Sequence, residues 1–365
     1  MKILHIIPGL HGGGAETFCI NLCNELSKEH DVTICSLFDI EEHMFMAKAL
    51  SPTITLITLH KQLGLDTSIF FKIHQLIRTG NYDSVNTHLR GLFYSALAIM
   101  FNKTNFFHTV HNMAQEETGK SQRLIYKILF KLFKVTPIGI STKVSKSIQT
   151  EYGNQFNTLI DNGTKQLEPT DQIEYVRQEI QNYKKNLKTK VFLTIGRIAY
   201  QKNHKMLVDV FNKLLVEGED VLLLIIGKDT EAGDPLLKQL LQIAKPEIHF
   251  LGERQNVSDY LLCSDAFCLS SLYEGLPITL IEAMSLGVIP ICTPAGGIVD
   301  VIRDMENGLL STDLSSDSYY AKIKQFLSLT AEVKTTLSNN VLIDFKKSYD
   351  ITSTAQKYLN LYNKG

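Results

Sequence analysis

Short apolar runs recur along the chain at segments 2–7, 32–36, 54–59, 84–87, 106–110 and 137–140. They return, after a polar gap, at 191–195, 221–226, 248–251, 266–269 and 288–292. Each is the length of a buried strand, and most are separated by stretches of helical period. Strands alternating with helices mean parallel sheets covered on both faces. The gap at 165–189 is polar, charged and poor in large apolar groups, with a helix expected over 172–183. The expected organisation is an N-terminal α/β domain over 1–165, a connection over 166–188 and a second α/β domain over 189–345. A last helical segment follows over 346–365. A glycine-rich loop, 8–14, follows the first strand and leads into a helix over 15–27. This opening is typical of a Rossmann-like half. Its PGLHGGGAE is not G-x-G-x-x-G, and no acidic residue is placed to hold an adenosine ribose, so a dinucleotide site is not expected. Gly13 and Gly14 still allow a ligand to approach the backbone.

Composition narrows the class. With 365 residues, 44% apolar and 21% charged, the chain can bury two cores. A net charge of −1 gives no overall field for nucleic acid. The six cysteines form no C-x-x-C pair, and no histidine cluster has metal spacing, so reduced structural thiols and a cytoplasmic setting are expected. The opening MKILHIIPGL has too short an apolar run for a signal peptide, and no run approaches the ~20 residues of a membrane-spanning helix.

The chemistry concentrates in 270–287, SSLYEGLPITLIEAMSLG. An apolar strand leads in, Gly275 and Pro277 break the pattern, and a helix follows from Ile278 to a stop at Gly287. Glu274 then lies in a strand-to-helix loop and Glu282 about one turn into the helix. Free N–H groups and the positive helix end between them suit an anion. A ligand with phosphates in its middle and hydroxyls at both ends, such as a nucleotide-sugar, has that shape. Upstream, GRIAYQKNH follows the strand 191–195. It brings Arg197 and Lys202 to a carboxyl strand end, where two cations can neutralise a diphosphate without a metal. No DxD motif has a suitable setting; Asp300 and Asp304 are four apart with a helical, solvent-facing pattern. His111, in FFHTVHNM, follows the strand 106–110, while His108 falls inside it and reads as structural; His88 and Arg90, in NTHLRG, sit at another strand end.

These stretches resemble the retaining GT-B glycosyltransferases of family 4, the group 1 glycosyl transferases of bacterial polysaccharide and glycan synthesis. EGLPITLIEAMSLGVIPI is similar to their Glu-x7-Glu motif, and GRIAYQKN to their Gly-Arg-x(4)-Lys-Gly/Asn element. The resemblance runs from the glycine loop to the final helix. It implies an α/β GT-B fold, two Rossmann-like domains facing across a cleft, with the last helix crossing back to the first domain. It implies transfer of a sugar, UDP-linked by expectation, to a hydroxyl of a lipid-linked glycan, with no metal and no cofactor besides the donor. Arg197 and Lys202 would hold the diphosphate, Glu274 the sugar, Glu282 the ribose, and His111 the transferred sugar from the first domain. The donor site would also involve Gly13, Gly14, Val257, Gly275, Leu276, Thr279 and Leu280; His88 and Arg90 would meet the acceptor. Transfer would go through same-face attack with a short-lived ion pair. EGLP stands where many relatives have an EGFG-like sequence, and Pro277 removes one backbone donor.

Two rivals share these features: a GT-B nucleotide-sugar 2-epimerase, which turns over without an acceptor, and a donor-binding module without catalysis. A further partner is an anionic membrane surface, at the inner face of the cell membrane. The segment KSQRLIYKILFKLFKV, 120–135, reads as a helix with Lys120, Arg123, Lys127, Lys131 and Lys134 on one stripe. Leu124 and Phe130 would flank it, with Leu129, Leu132 and Phe133 turned to the core. The bland alternative is the solvated face of an ordinary amphipathic helix.

Overall fold

A computed structural model describes residues 1–10, 13–39, 45–229 and 235–364. Residues 11 and 12 of the glycine loop lie outside the described residues. The chain divides into two compact units, Met1–Thr164 with Ser348–Gly365, and Lys165–Lys347. Each is built on a six-stranded parallel sheet.

In the first unit the strands are β1 (Lys2–Ile7), β2 (Asp31–Ser36), β3 (Thr55–Thr58), β4 (Ser84–His88), β5 (Asn105–Val110) and β6 (Thr136–Gly139), in the order β3-β2-β1-β4-β5-β6. Residues Ile3, Leu4, Ile6 and Ile7 of β1 are fully buried, which is what a central strand covered by helices on both faces requires. The second unit repeats the order with β7 (Lys190–Ile195), β8 (Val221–Ile226), β9 (Ile248–Gly252), β10 (Ala266–Leu269), β11 (Pro290–Cys292) and β12 (Leu309–Leu310), arranged β12-β11-β10-β7-β8-β9. Both orders are doubly wound and reverse direction beside the first strand, between β1 and β4 and between β7 and β10. Ligands of open α/β sheets bind at such switch points, outside the carboxyl ends of the strands.

Element positions follow the apolar pattern closely, with three differences. The two-residue β12 has no run long enough to announce it. The polar segment after Thr164 is part of the second unit, because Thr170 bonds Asp259 and Tyr260 donates to Glu179 at 2.6 Å. The last helix, Ile351–Tyr362, is no such difference: it packs within the first unit, where Tyr358 meets the Thr109 hydroxyl at 3.1 Å. Asp304 is not helical: it follows the four-residue helix Ile298–Val301 and pairs with Lys322.

The helix expected over 120–135 runs Lys120–Leu132, and its faces differ from the expectation. Tyr126, Leu129 and Phe130 are buried, while Leu132 is 73% exposed. Tyr126 selects this face: its ring packs on His108 and its hydroxyl donates to the Leu89 carbonyl at 3.2 Å. Phe130 follows it onto His108 and Tyr152. Arg123 leaves the cationic stripe to pair with Glu151 at 3.4 Å, and Lys134 lies past the helix end in a left-handed conformation, φ 56°. The exposed face carries Lys120, Lys127 and Lys131 beside an apolar row of Leu124, Ile128 and Leu132. Among the described residues no helix is long and apolar enough to cross a membrane. All six cysteines are free, and all but Cys263 are buried.

Candidate active site

The switch point of the second unit brings two loops together. After β7 the chain turns at Gly196 into a short 3-10 helix, Tyr200–Lys202; after β10 it runs through Glu274 into the helix Ile278–Ser285. Backbone and side chains lace the loops: Leu272 N–H donates to the Gln201 carbonyl at 2.8 Å, Gln201 Nε2 to the Tyr273 carbonyl at 2.9 Å, and Ser270 Oγ to the Lys202 carbonyl at 2.9 Å. Across this junction Lys202 Nζ meets Glu274 Oε1 at 2.7 Å, with side chains only 15% and 7% exposed. Ser271 Oγ donates to the same carboxylate oxygen at 2.7 Å, and Gln201 Nε2 to Oε2 at 3.4 Å. Glu274 is thus a buried charge with a counter-ion and two further donors, as such a charge needs. Arg197 is exposed at the end of β7.

Glu282 sits half-buried within the helix Ile278–Ser285. Burial pushes its carboxyl up to about 7 from 4.5, while nearby Lys165 pulls it partly back. Among the described residues its carboxylate has no protein hydrogen-bond partner, and the side chain keeps part of its surface open. The Thr279 hydroxyl in the first turn is buried without a partner. Leu276 and Leu280 are apolar core around this turn, at 3% and 0% exposed, and Gly275 is buried between them and Glu274. Val257 is half-buried at the start of the helix Val257–Leu262.

In the first unit the switch point holds histidines. His5 lies in β1, His88 ends β4, and His111 follows β5. His111 Nε2 is 2.9 Å from His88 Nδ1, and His88 Nε2 is 3.0 Å from His5 Nδ1. His88 is 0% exposed with both ring nitrogens engaged. This corrects the expectation that it meets an acceptor: no nitrogen is left for one. Arg90, two residues on, precedes the short helix Gly91–Tyr94 and is exposed. His108 is in the core, held at Nδ1 by Thr87. Burial holds the His111 imidazole well below its ordinary 6.5, with His88 adding to the effect, so the ring is neutral at neutral pH. Gly13 caps the helix Gly14–Leu26, and Gly14 is exposed at its first position. His5, Cys19 and Cys23 form the group of metal-type donors found among the described residues, within 4.8 Å of one another and buried.

Sequence reading passed over several residues that hold these groups. The Glu117 carboxylate accepts the His111 backbone N–H at 3.0 Å. Ser271 is fixed by Thr293, whose hydroxyl donates to the Ser271 carbonyl at 2.6 Å. Gly296 has φ +56°, and a Cβ there would come within 1.8 Å of the Glu274 carbonyl oxygen. Only glycine lets the TPAGG loop lie against the motif and Gly297 N–H donate to that carbonyl at 3.2 Å. The paired glycines of TPAGG were the available signal; Glu117 and Ser271 had none.

The family model "Glycosyltransferase Family 4" matches residues 12–163, and "Glycosyl transferases group 1" matches residues 176–341. The capsular polysaccharide biosynthesis glycosyltransferase CapH of Staphylococcus aureus is 24% identical over 99% of this chain and 98% of its own length. A UDP-Gal:alpha-D-GlcNAc-diphosphoundecaprenol alpha-1,3-galactosyltransferase of Escherichia coli is 27% identical over 95% of this chain and 89% of its own. Among solved structures, Anabaena HepE in complex with UDP-glucose superposes with a TM-score of 0.85 at 18% identity, covering 100% of both chains. A glycosyltransferase from Rickettsia africae gives 0.83 at 19% identity, covering 100% of this chain and 98% of its own. The fold is GT-B.

Proposed function

We propose a reaction for a chain that belongs to glycosyltransferase family 4 and carries the group 1 module in its second unit: retaining transfer of a sugar from a UDP-sugar to a hydroxyl of a lipid-linked glycan. That the chain is a glycosyltransferase drawing on a nucleotide-sugar follows from family membership. The observation that carries this proposal is the junction of β7 and β10, where Lys202 pairs with Glu274, Arg197 stands exposed at the end of β7 and Glu282 lies in the helix that follows Glu274.

In this reading Arg197 and Lys202 take the diphosphate, and the electrostatic stabilisation of departing UDP supplies most of the rate. Arg197 and Lys202 thus take the part a metal would otherwise play in this reading. Glu282, which has no protein partner for its carboxylate, accepts the ribose hydroxyls. Glu274 receives the sugar hydroxyls. A carboxylate already holding Lys202 and Ser271 is an acceptor rather than a free nucleophile, which supports same-face attack. The bond from the anomeric carbon to the β-phosphate oxygen breaks, the acceptor oxygen takes that carbon, and its proton goes to the departing phosphate. His111 meets the transferred sugar. The E. coli relative acts on a diphosphoundecaprenol-linked sugar and a Campylobacter jejuni relative on a PP-undecaprenol glycan, which supports the acceptor class.

Such an acceptor is met at a bilayer. The exposed face of the helix Lys120–Leu132 suits an anionic one: three lysines lie beside Leu124, Ile128 and Leu132. Each cation near that surface adds about 1 kcal/mol. The protein would then work on the inner face of the cell membrane. A thermal-shift panel of nucleotide-sugars tests the donor, since a ligand that binds only the folded state raises its melting temperature. A UDP-sugar should give the largest rise, and no rise with any UDP-sugar would contradict the reading.

A further inference from the structure

The helix Gly14–Leu26 brings two thiols against β1. Cys19 and Cys23 are four apart, so they share one helix face a turn from each other, and both are fully buried. His5 lies in β1 and is fully buried as well. A nitrogen of its ring and the two sulfurs lie within 4.8 Å of one another. Cores bury cysteine readily, so two inward thiols alone mean little. The imidazole beside them adds a second observation. Its Nδ1 is 3.0 Å from His88 Nε2, and its Nε2 is buried with no hydrogen-bond partner. A buried polar atom left in that state calls for a partner the protein does not supply. The sulfurs differ from ordinary core thiols too. The Cys23 thiol first, then His88 and His5, hold Cys19 well below its ordinary range against the opposing effect of burial.

Two chemistries use a pair of thiols. A disulfide needs Cβ atoms about 3.5–4.5 Å apart. Residues one helical turn apart hold theirs about 5–6 Å apart, so closing that bond would distort the helix. A metal ion asks for less. Sulfur and imidazole nitrogen stand about 2.0–2.3 Å from zinc, which sets such donors about 3–4 Å from one another. A cluster already within 4.8 Å closes on an ion by small side-chain shifts. Charge selects the ion. Two thiolates and a neutral imidazole carry two negative charges, so a divalent ion makes the site neutral, while a monovalent one leaves a net charge in the core. Sulfur with imidazole suits zinc; magnesium and calcium take oxygen.

We propose that His5, Cys19 and Cys23 form a binding site for a zinc-class divalent cation in the core of the first unit. His5 takes the ion at Nε2, and its Nδ1 keeps His88 as the outer partner that a metal-bound imidazole needs. A thiol that still carries its proton releases it to solvent as the sulfur binds. The ion has no part in the transfer proposed above. It clasps β1 to the helix Gly14–Leu26, the two elements that the glycine-rich loop joins.

The full-length protein, purified under reducing conditions without chelator, is assayed for metal, and cadmium is then exchanged in. We expect one zinc per chain and, after exchange, the near-ultraviolet charge-transfer absorption of cadmium bound to thiolate. Cys19→Ala, Cys23→Ala and His5→Gln should each weaken binding by at least the roughly 100-fold that loss of an outer partner alone can cost. Cys263→Ser, at the one cysteine that is not buried, should change nothing. Zinc in excess should raise the melting temperature of the stripped wild type and leave that of the Cys19→Ala, Cys23→Ala double variant where it was. Cys23→Ser, which exchanges a single atom, serves as the folded test if an alanine variant is unstable. No zinc in the purified protein and none taken up on incubation, or cadmium absorption that survives the loss of either sulfur undiminished, overturns the assignment.

Discussion

Replacing Glu282 by Gln should make the protein more stable and less able to bind UDP. Raising the carboxyl from 4.5 to about 7 in the folded chain corresponds to about 3 kcal/mol. The sign follows from proton binding. Between those two values the folded state holds the proton more tightly than the unfolded one. Stability tied to this group is therefore fully present below pH 4.5 and lost as pH rises toward 7, above which the loss is constant. Gln is neutral at every pH and escapes the loss. At pH 8, Glu282→Gln should therefore gain about 3 kcal/mol, or roughly 6–12 °C in the melting of a unit this size; at pH 4 it should gain almost nothing. Titration calorimetry of the same variant with UDP should show affinity reduced about 10-fold, since neutral hydrogen bonds replace charge-assisted ones. Wild-type affinity should fall as pH drops below 7 and the variant's should not. A residue that costs stability and supports binding is what a ligand site predicts. A variant that melts lower at pH 8, or binds UDP as tightly as wild type, would refute the reasoning.

Other substitutions probe neighbouring parts. Arg197→Ala should lower turnover roughly 10²-fold, on the scale of one preorganised donor, with little change in melting temperature. Lys202→Met leaves Glu274 buried and unpaired and should destabilise by about 3–5 kcal/mol; Lys202→Met with Glu274→Met should recover most of that, as replaced buried pairs do, but stay inactive. Gly296→Ala forces a side chain into a left-handed position, about 1–2 kcal/mol by itself, and into a 1.8 Å clash with the Glu274 carbonyl oxygen; turnover should collapse and the stability lost should exceed that conformational cost. Binding to anionic liposomes should be salt-sensitive and reduced by changing Lys127 and Lys131 to Glu. Cosedimentation absent at low salt would remove the membrane surface from the account.

Strands and helices were legible because each sheet is covered on both sides, so its strands are uninterrupted apolar runs such as 221–226. The loops of the second unit were legible for a related reason. Gly196, Gly275 and Pro277 interrupt those runs where the chain must turn, and charged residues stand beside the interruptions. What escaped reading depends on contacts between distant positions. His88 reads as an exposed strand-end residue until β1 and β4 are paired, which sets His5, 83 residues earlier, against its ring. Glu117 gains its role from the path of the chain after β5. In the helix Lys120–Leu132, the apolar residues nearly encircle the axis, so periodicity alone chose the wrong face for Phe130 and Leu132. The hydroxyl of Tyr126, bonded to Leu89, settled it.

The most direct test of glycosyl transfer is one reaction followed by NMR. The purified protein, in EDTA, is given a UDP-sugar with a polyprenyl-diphosphate-linked glycan, and the new anomeric signals are assigned. The account predicts one UDP released for each new glycosidic bond, the donor's anomeric configuration kept in the product, and no donor consumed without the acceptor. An inverted product, or donor turned over in the acceptor's absence, would contradict it.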